Sequence, residues 1–162
     1  MGFPGRMNVE DKLTATTPSW REHLLESNAD VLRVLERVRR VAVIGIKPEI
    51  VGGPAFSVPQ RMLQAGYEII PVPVYYPDIQ EILGAPVHRS LQSISPPVDM
   101  VQLFRRPTDI PRHLDELLAH APGVVWMQLG IRHDEVAEQL ARAGIDVIQD
   151  RCVKVELDRL RK

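Results

Sequence analysis

Cysteine is nearly missing from this chain: Cys152 stands alone among 162 residues, which excludes an internal disulfide and a cysteine-rich metal site. Neither sign of charge dominates, since 20 Lys and Arg face 21 Asp and Glu for a net charge of −1. That balance gives no electrostatic reason for a nucleic-acid or membrane partner. No apolar run approaches the length of a membrane span, and Met1 to Pro18 has no continuous apolar segment of the signal-peptide kind. The histidines His23, His88, His113, His120 and His133 lack ligand-like spacing, so no metal site is expected. There are no repeats or low-complexity tracts. With 44% hydrophobic and 25% charged residues, the composition is that of an ordinary globular protein, and the cytoplasm is the simplest compartment for it.

Residues 1–18 mix Gly, Pro, Thr and charge without periodicity and read as a flexible lead-in. Residues 19–162 are enough for one domain with one continuous core. Ser19, with Glu22 three residues on, has the form of a capping box. Trp20, Leu24, Val31, Leu32, Leu35 and Val38 follow near helical spacing, interrupted at Ser27-Asn28, so one helix or a broken pair is expected over 19–39. Val41-Ala42-Val43-Ile44 has no polar interruption and suits a strand covered on both faces. Gly45 follows where the chain must leave the sheet sharply. Ser57 as N-cap, Pro59 in the first turn and Gly66 just past the end predict a helix over 57–65.

Further strands are expected over 67–72, 98–104, 123–128 and 145–149, with a possible edge strand at Pro86-Val87-His88. Helices are expected over 109–120, 133–143 and 152–161. This alternation implies a three-layer α/β fold of Rossmann-like form, with a mostly parallel sheet of five or six strands and helices on both faces. Ligands bind such sheets beyond the carboxyl ends of the strands, where strand order reverses. Four turns gather on that edge: Gly45-Ile46-Lys47, Val72-Pro73-Val74, Phe104-Arg105-Arg106 and Gln128-Leu129-Gly130. They would suit an elongated ligand with a phosphate at one end.

The turn after the first strand reads as a phosphate cradle or as a bare strand-to-helix connection, because it is neither G-x-G-x-x-G nor a P-loop. Lys47 is a point charge for phosphate or a solvated surface lysine. At least one guanidinium of Arg105 and Arg106 should enter the crevice, where it can fork onto phosphate or stack on a ring; a helix-start salt bridge to Asp109 or Asp115 is the alternative. Gln128 and the backbone beside it could hydrogen-bond an amide-rich arm, or merely close an ordinary turn. Cys152 follows Asp150-Arg151 at the same edge, where a neighbouring arginine and a helix start favour thiolate; a small buried hydrophobe is the plainer role. No Ser-His-Asp order and no carboxylate pair stands out.

The chain resembles a family of small stand-alone coenzyme A-binding proteins. The likeness is carried by Val41-Ala42-Val43-Ile44-Gly45, Gly66-Tyr67-Glu68-Ile69-Ile70-Pro71-Val72, the run Val98 to Pro107, Val125-Trp126-Met127-Gln128-Leu129-Gly130-Ile131 and Asp150-Arg151-Cys152. A looser likeness is to the CoA-binding domain of the succinate–CoA ligase α subunit. The resemblance implies coenzyme A or an acyl-CoA as ligand. Its pyrophosphate would lie on Gly45-Ile46-Lys47 and on the helix start at Ala55-Phe56-Ser57-Val58. Its adenosine end would approach Val72-Pro73-Val74 and Phe104-Arg105-Arg106, and its pantetheine arm would run along Gln128-Leu129-Gly130. The family commonly has Asn after Pro-Val, where this chain has Pro73. The ligase's phosphohistidine domain has no counterpart, so a binding protein without catalysis is expected. A thiol or acyl transfer enzyme using Cys152 is the alternative.

Overall fold

The computed structural model describes residues 19–160; the expected lead-in lies outside them. Five parallel strands form the main sheet: β1 (Arg40–Ile44), β2 (Glu68–Val72), β5 (Met100–Leu103), β6 (Val124–Met127) and β7 (Asp146–Ile148), in the order β2-β1-β5-β6-β7. Val41 pairs with Ile69 on one side and with Met100 on the other. Strand order therefore reverses between β1 and β5: the chain builds β2 to one side of β1, then crosses to lay down the rest on the other.

Alternate residues of each strand feed two separate cores. Val41, Val43, Ile69, Met100 and Trp126 pack under α1 (Asn28–Arg37), α2 (Pro54–Gln64) and α5 (Val153–Leu160). Ala42, Ile44, Val101, Leu103 and Val125 pack under α3 (Leu114–His120) and α4 (Asp134–Arg142). Helices thus cover both faces. Both faces being buried is why the strands read as unbroken apolar runs rather than alternating ones. Among the described residues no helix is long and apolar enough to cross a membrane.

Local details depart from the expected boundaries. Ser19–His23 is a 3-10 turn rather than the start of a long helix. The Ser27-Asn28 interruption is itself a helix start, with Ser27 Oγ accepting the N–H of Asp30 at 3.1 Å. Helix α2 begins at Pro54 behind Gly53, so Ser57 is not the N-cap: its N–H already bonds Gly53 O at 2.9 Å, inside the first turn. Pro59 consequently lies within the helix. The expected helix over 109–120 divides into a 3-10 stretch, Pro107–His113, and α3; Pro111, lacking an N–H, sits inside the 3-10 half.

Among the described residues no sixth strand joins the main sheet. The segment near Pro86 instead forms a separate two-stranded hairpin, β3 (Glu81–Ile82) with β4 (Ala85–Pro86). It lies beside β2 and is tied to it where His88 donates to Pro71 O at 2.9 Å. The opposite edge, β7, is covered by Leu24 and Leu25, with Leu25 donating to Val147 O at 2.9 Å. Covered edges remove the template for pairing with another chain.

Candidate functional site

The reversal point is marked by one backbone contact. Gly45, at φ +88°, donates to Val72 O at 2.9 Å and lies so near β5 that a Cβ would fall 2.1 Å from Phe104 O. No other residue type fits there without moving one of the two chain segments. Ile46 is buried behind this turn, and Lys47 is half-buried.

Lys47 is pinned by an unexpected device. In a regular helix the N–H at position 59 would bond Ala55 O, but Pro59 has none. Ala55 O instead accepts the N–H of Lys47 at 3.2 Å. The proline inside α2 thereby leaves an acceptor that ties the turn to the helix start. Among the described residues, the N–H groups of Ile46, Gly53 and Ala55 have no acceptor. Three donors at a turn and a helix N-terminus form the positive end of a dipole. The fold puts Ala55, Phe56, Ser57 and Val58 in that first turn and a half of helix; Phe56 and Val58 are buried and Ser57 is half-buried.

The loops at this edge also raise apolar side chains into solvent. Ile50 is 91% exposed and Val51 45%, in the turn after β1; Val74 and Tyr75 follow β2, and Leu129, 66% exposed, follows β6. Apart from Leu63 and Val155 these are the large hydrophobic residues exposed among those described. Val72 and Pro73 beneath them are buried.

The two arginines after β5 divide between roles. Arg105 has an 8% exposed side chain, 3.7 Å from Asp109, and its Nε donates to His113 Nε2 at 3.1 Å. Its guanidinium also lies 5.8 Å from the Tyr75 ring centroid. Arg106 is mostly exposed and donates from Nε to Asp109 Oδ2 at 2.9 Å. The hydrogen bond from Arg106, aided by the charges of Arg105 and Arg112, holds the Asp109 carboxyl below the usual carboxylate range. The salt bridge to Asp109 is therefore formed, and Asp115 takes no part in it. Phe104 is half-buried and closes the crevice floor with its carbonyl against Gly45.

Gln128, only 4% exposed, accepts at Oε1 from Gln102 Nε2 at 3.0 Å and from the Val153 N–H at 3.3 Å. Gly130 is exposed, but its N–H is held by Asp150 Oδ1 at 2.7 Å. Cys152 is half-buried and packs against the core under α1, α2 and α5. The Arg151 guanidinium bonds Glu26 O, Asn28 Oδ1 and Glu156. It is thus committed to anchoring the start of α1 to α5. A cavity of about 380 Å³ opens beside β7, with Arg132, Asp150 and Arg151 in its wall. Arg132 is engaged with Asp134 at 3.0 Å and the other two as above, and Glu26 also stands in the wall. Among the described residues no group of three or more His, Cys, Asp or Glu is placed to hold a metal ion.

A parallel sheet of this order, with its glycine turn at the reversal, defines a Rossmann-like α/β protein. The chain belongs to the CoA binding domain family, whose model matches residues 39–158, and membership supports coenzyme A as the ligand. It is 37% identical over 131 residues to YneT of Bacillus subtilis (strain 168), a match spanning 80% of this chain and 93% of that protein. A solved Thermus thermophilus protein superposes with a TM-score of 0.75 at 37% identity, over 83% of this chain and 99% of that one. A Pyrococcus horikoshii OT3 protein gives 0.76 at 26% identity, over 85% and 94%. The dinucleotide forming acetyl-coenzyme A synthetase 1 of Ca. Korarchaeum cryptofilum gives 0.58 at 13% identity, over 72% of this chain and 27% of that one, a likeness of fold alone.

Proposed function

We propose that this protein binds coenzyme A or an acyl-CoA at the reversal point, with the pyrophosphate on the turn Gly45-Ile46-Lys47 and on the start of α2. The observation that carries the reading is the set of unpartnered N–H groups on Ile46, Gly53 and Ala55. Amides at a helix start bind phosphate oxygens without needing a cationic side chain. Lys47 adds a charge beside them. The adenosine end lies along Val72-Pro73-Val74 and Phe104, with the adenine against Tyr75 and the Arg105 guanidinium behind that ring. Arg106, exposed next to it, meets the 3′-phosphate. The pantetheine arm runs over Leu129 towards Gln128 and Gly130. Binding by main-chain donors and apolar contact needs no reacting group, so the protein acts as a carrier or sensor of the coenzyme rather than as a catalyst.

Calorimetric titration with CoA, dephospho-CoA, NAD and ATP tests the reading. CoA binds tightest, dephospho-CoA more weakly through loss of the Arg106 contact, and NAD and ATP weakest. Tightest binding to NAD, or no heat with CoA, overturns it.

A further inference from the structure

Two glutamines behind the crevice form a pair whose hydrogen-bonding sense is fixed by the backbone. The Val153 N–H can only donate, and it points at Gln128 from 3.3 Å. The atom of the Gln128 amide facing it must therefore be Oε1. Gln102, on β5 and fully buried, reaches the same oxygen through Nε2 at 3.0 Å. Turning the Gln102 amide over would set two oxygens against each other. Held as it is, Gln102 leaves its own Oε1 buried without a partner. Such an orphan forfeits the hydration it would have in water and gains no bond in return. A buried position that accepts this penalty calls for a reason beyond stability.

The consequence falls on the other end of Gln128. With Oε1 twice occupied, Nε2 is the uncommitted end of the amide. Among the described residues it has no acceptor, and it is not among the sealed buried atoms. Gln128 directly follows β6 on the carboxyl edge, beside exposed Leu129. A residue 4% exposed thus keeps one uncommitted group, an amide donor held in that sense by the Val153 N–H.

Resting on the CoA reading above, we infer that Gln128 Nε2 donates to a carbonyl of the ligand's amide-bearing arm, and that Gln102, the second donor on Gln128 Oε1, is the positioning residue that steadies the amide in that sense. The site then selects ligands with a carbonyl acceptor at that point. Gln102 contributes to affinity only through Gln128.

Two variants test this, each titrated with CoA and with adenosine 3′,5′-bisphosphate, which lacks the arm. Gln128→Glu keeps an oxygen for Val153 and Gln102 but replaces the uncommitted donor by an acceptor. CoA affinity falls at least about tenfold, and bisphosphate affinity stays within about twofold. Gln102→Met fills the same space, removes the orphaned oxygen and leaves the Gln128 amide held by the Val153 N–H alone. The protein keeps or gains thermal stability while CoA affinity falls several-fold, again without loss for the bisphosphate. A merely structural pair would move stability, or both ligands together. If wild-type protein binds CoA and Gln102→Met leaves the ratio of the two affinities unchanged, this inference fails and the CoA reading stands. If wild-type protein binds no CoA, the reading and the inference built on it both fall.

Discussion

The two ends of the sheet treat their backbone groups in opposite ways. At the amino end nearly everything is closed by the chain itself. The Asp99 carboxylate accepts the N–H groups of Arg39 and Arg40, both at 2.8 Å. Asp146 is bonded by His23 and Arg37, and Val98 donates to His120 Nε2 at 2.9 Å. At the carboxyl end the donors of Ile46, Gly53 and Ala55 stay unpartnered, and Ile50, Tyr75 and Leu129 stand in solvent. Amides open to water lose little, since water replaces the missing acceptor, whereas the exposed apolar side chains beside them gain by being covered. One end is closed by its own chain and the other is left open, and the difference should appear in how each responds to substitution.

The largest effect is expected where the ends share one constraint. Gly45→Val lowers unfolding stability by about 3 kcal/mol or more, since the side chain meets Phe104 O and φ is positive; denaturant titration measures it. Gly52, also at positive φ but with open space around it, serves as control: Gly52→Ala costs only about 1 kcal/mol. Next comes Asp99→Ala, which orphans two amides at the amino end and costs about 1.5 kcal/mol. CoA affinity measured on the folded variant is unchanged. Equal losses of affinity and stability would break the contrast between the ends.

Acid should act in two stages. Burial pushes the His120 imidazole below its usual range, so its contribution is complete above the unfolded value of about 6.5 and fades as pH falls through the folded one. Asp109 is held low by Arg106, and Glu116 first by its hydrogen bond from His113. Their contributions are complete above the unfolded values, 3.8 for Asp109 and 4.5 for Glu116, and are lost as pH falls through the lower folded ones. Melting temperature followed against pH falls first with His120 and later with the carboxyls; His120→Gln shrinks the first stage. The smallest change in stability belongs to Ile50→Ser, within about 0.5 kcal/mol at a solvent-facing site, yet CoA affinity drops several-fold. A variant that binds CoA as well as wild type would remove the turn after β1 from the site.

Much of this contrast was readable in advance, but unevenly. Val41 to Ile44 declared a doubly covered strand, and Gly45 declared a sharp exit, because both depend on neighbours in the chain. Pro59 misled: it suggested a first-turn position, and the helix starts earlier, at Pro54 behind Gly53. Its effect on Ala55 O and Lys47 depends on a contact across the turn, which no local pattern reveals. The short segment at Pro86 looked like a strand of the main sheet and became half of a separate hairpin. Gln102 gave no warning at all, since a glutamine inside an apolar strand carries no periodic signal.

What the sequence determined by itself was the succession of strands and helices, the edge on which the turns would meet, and the family likeness. Each of these follows from apolar runs, glycines and prolines acting within a few residues. Tertiary structure alone decided which amides were left without acceptors, how Arg105 was buried while Arg106 stayed exposed beside Asp109, and which atom of the Gln128 amide meets the Val153 N–H. Those outcomes turn on partners far apart in the chain, brought within hydrogen-bonding distance only when the sheet is assembled.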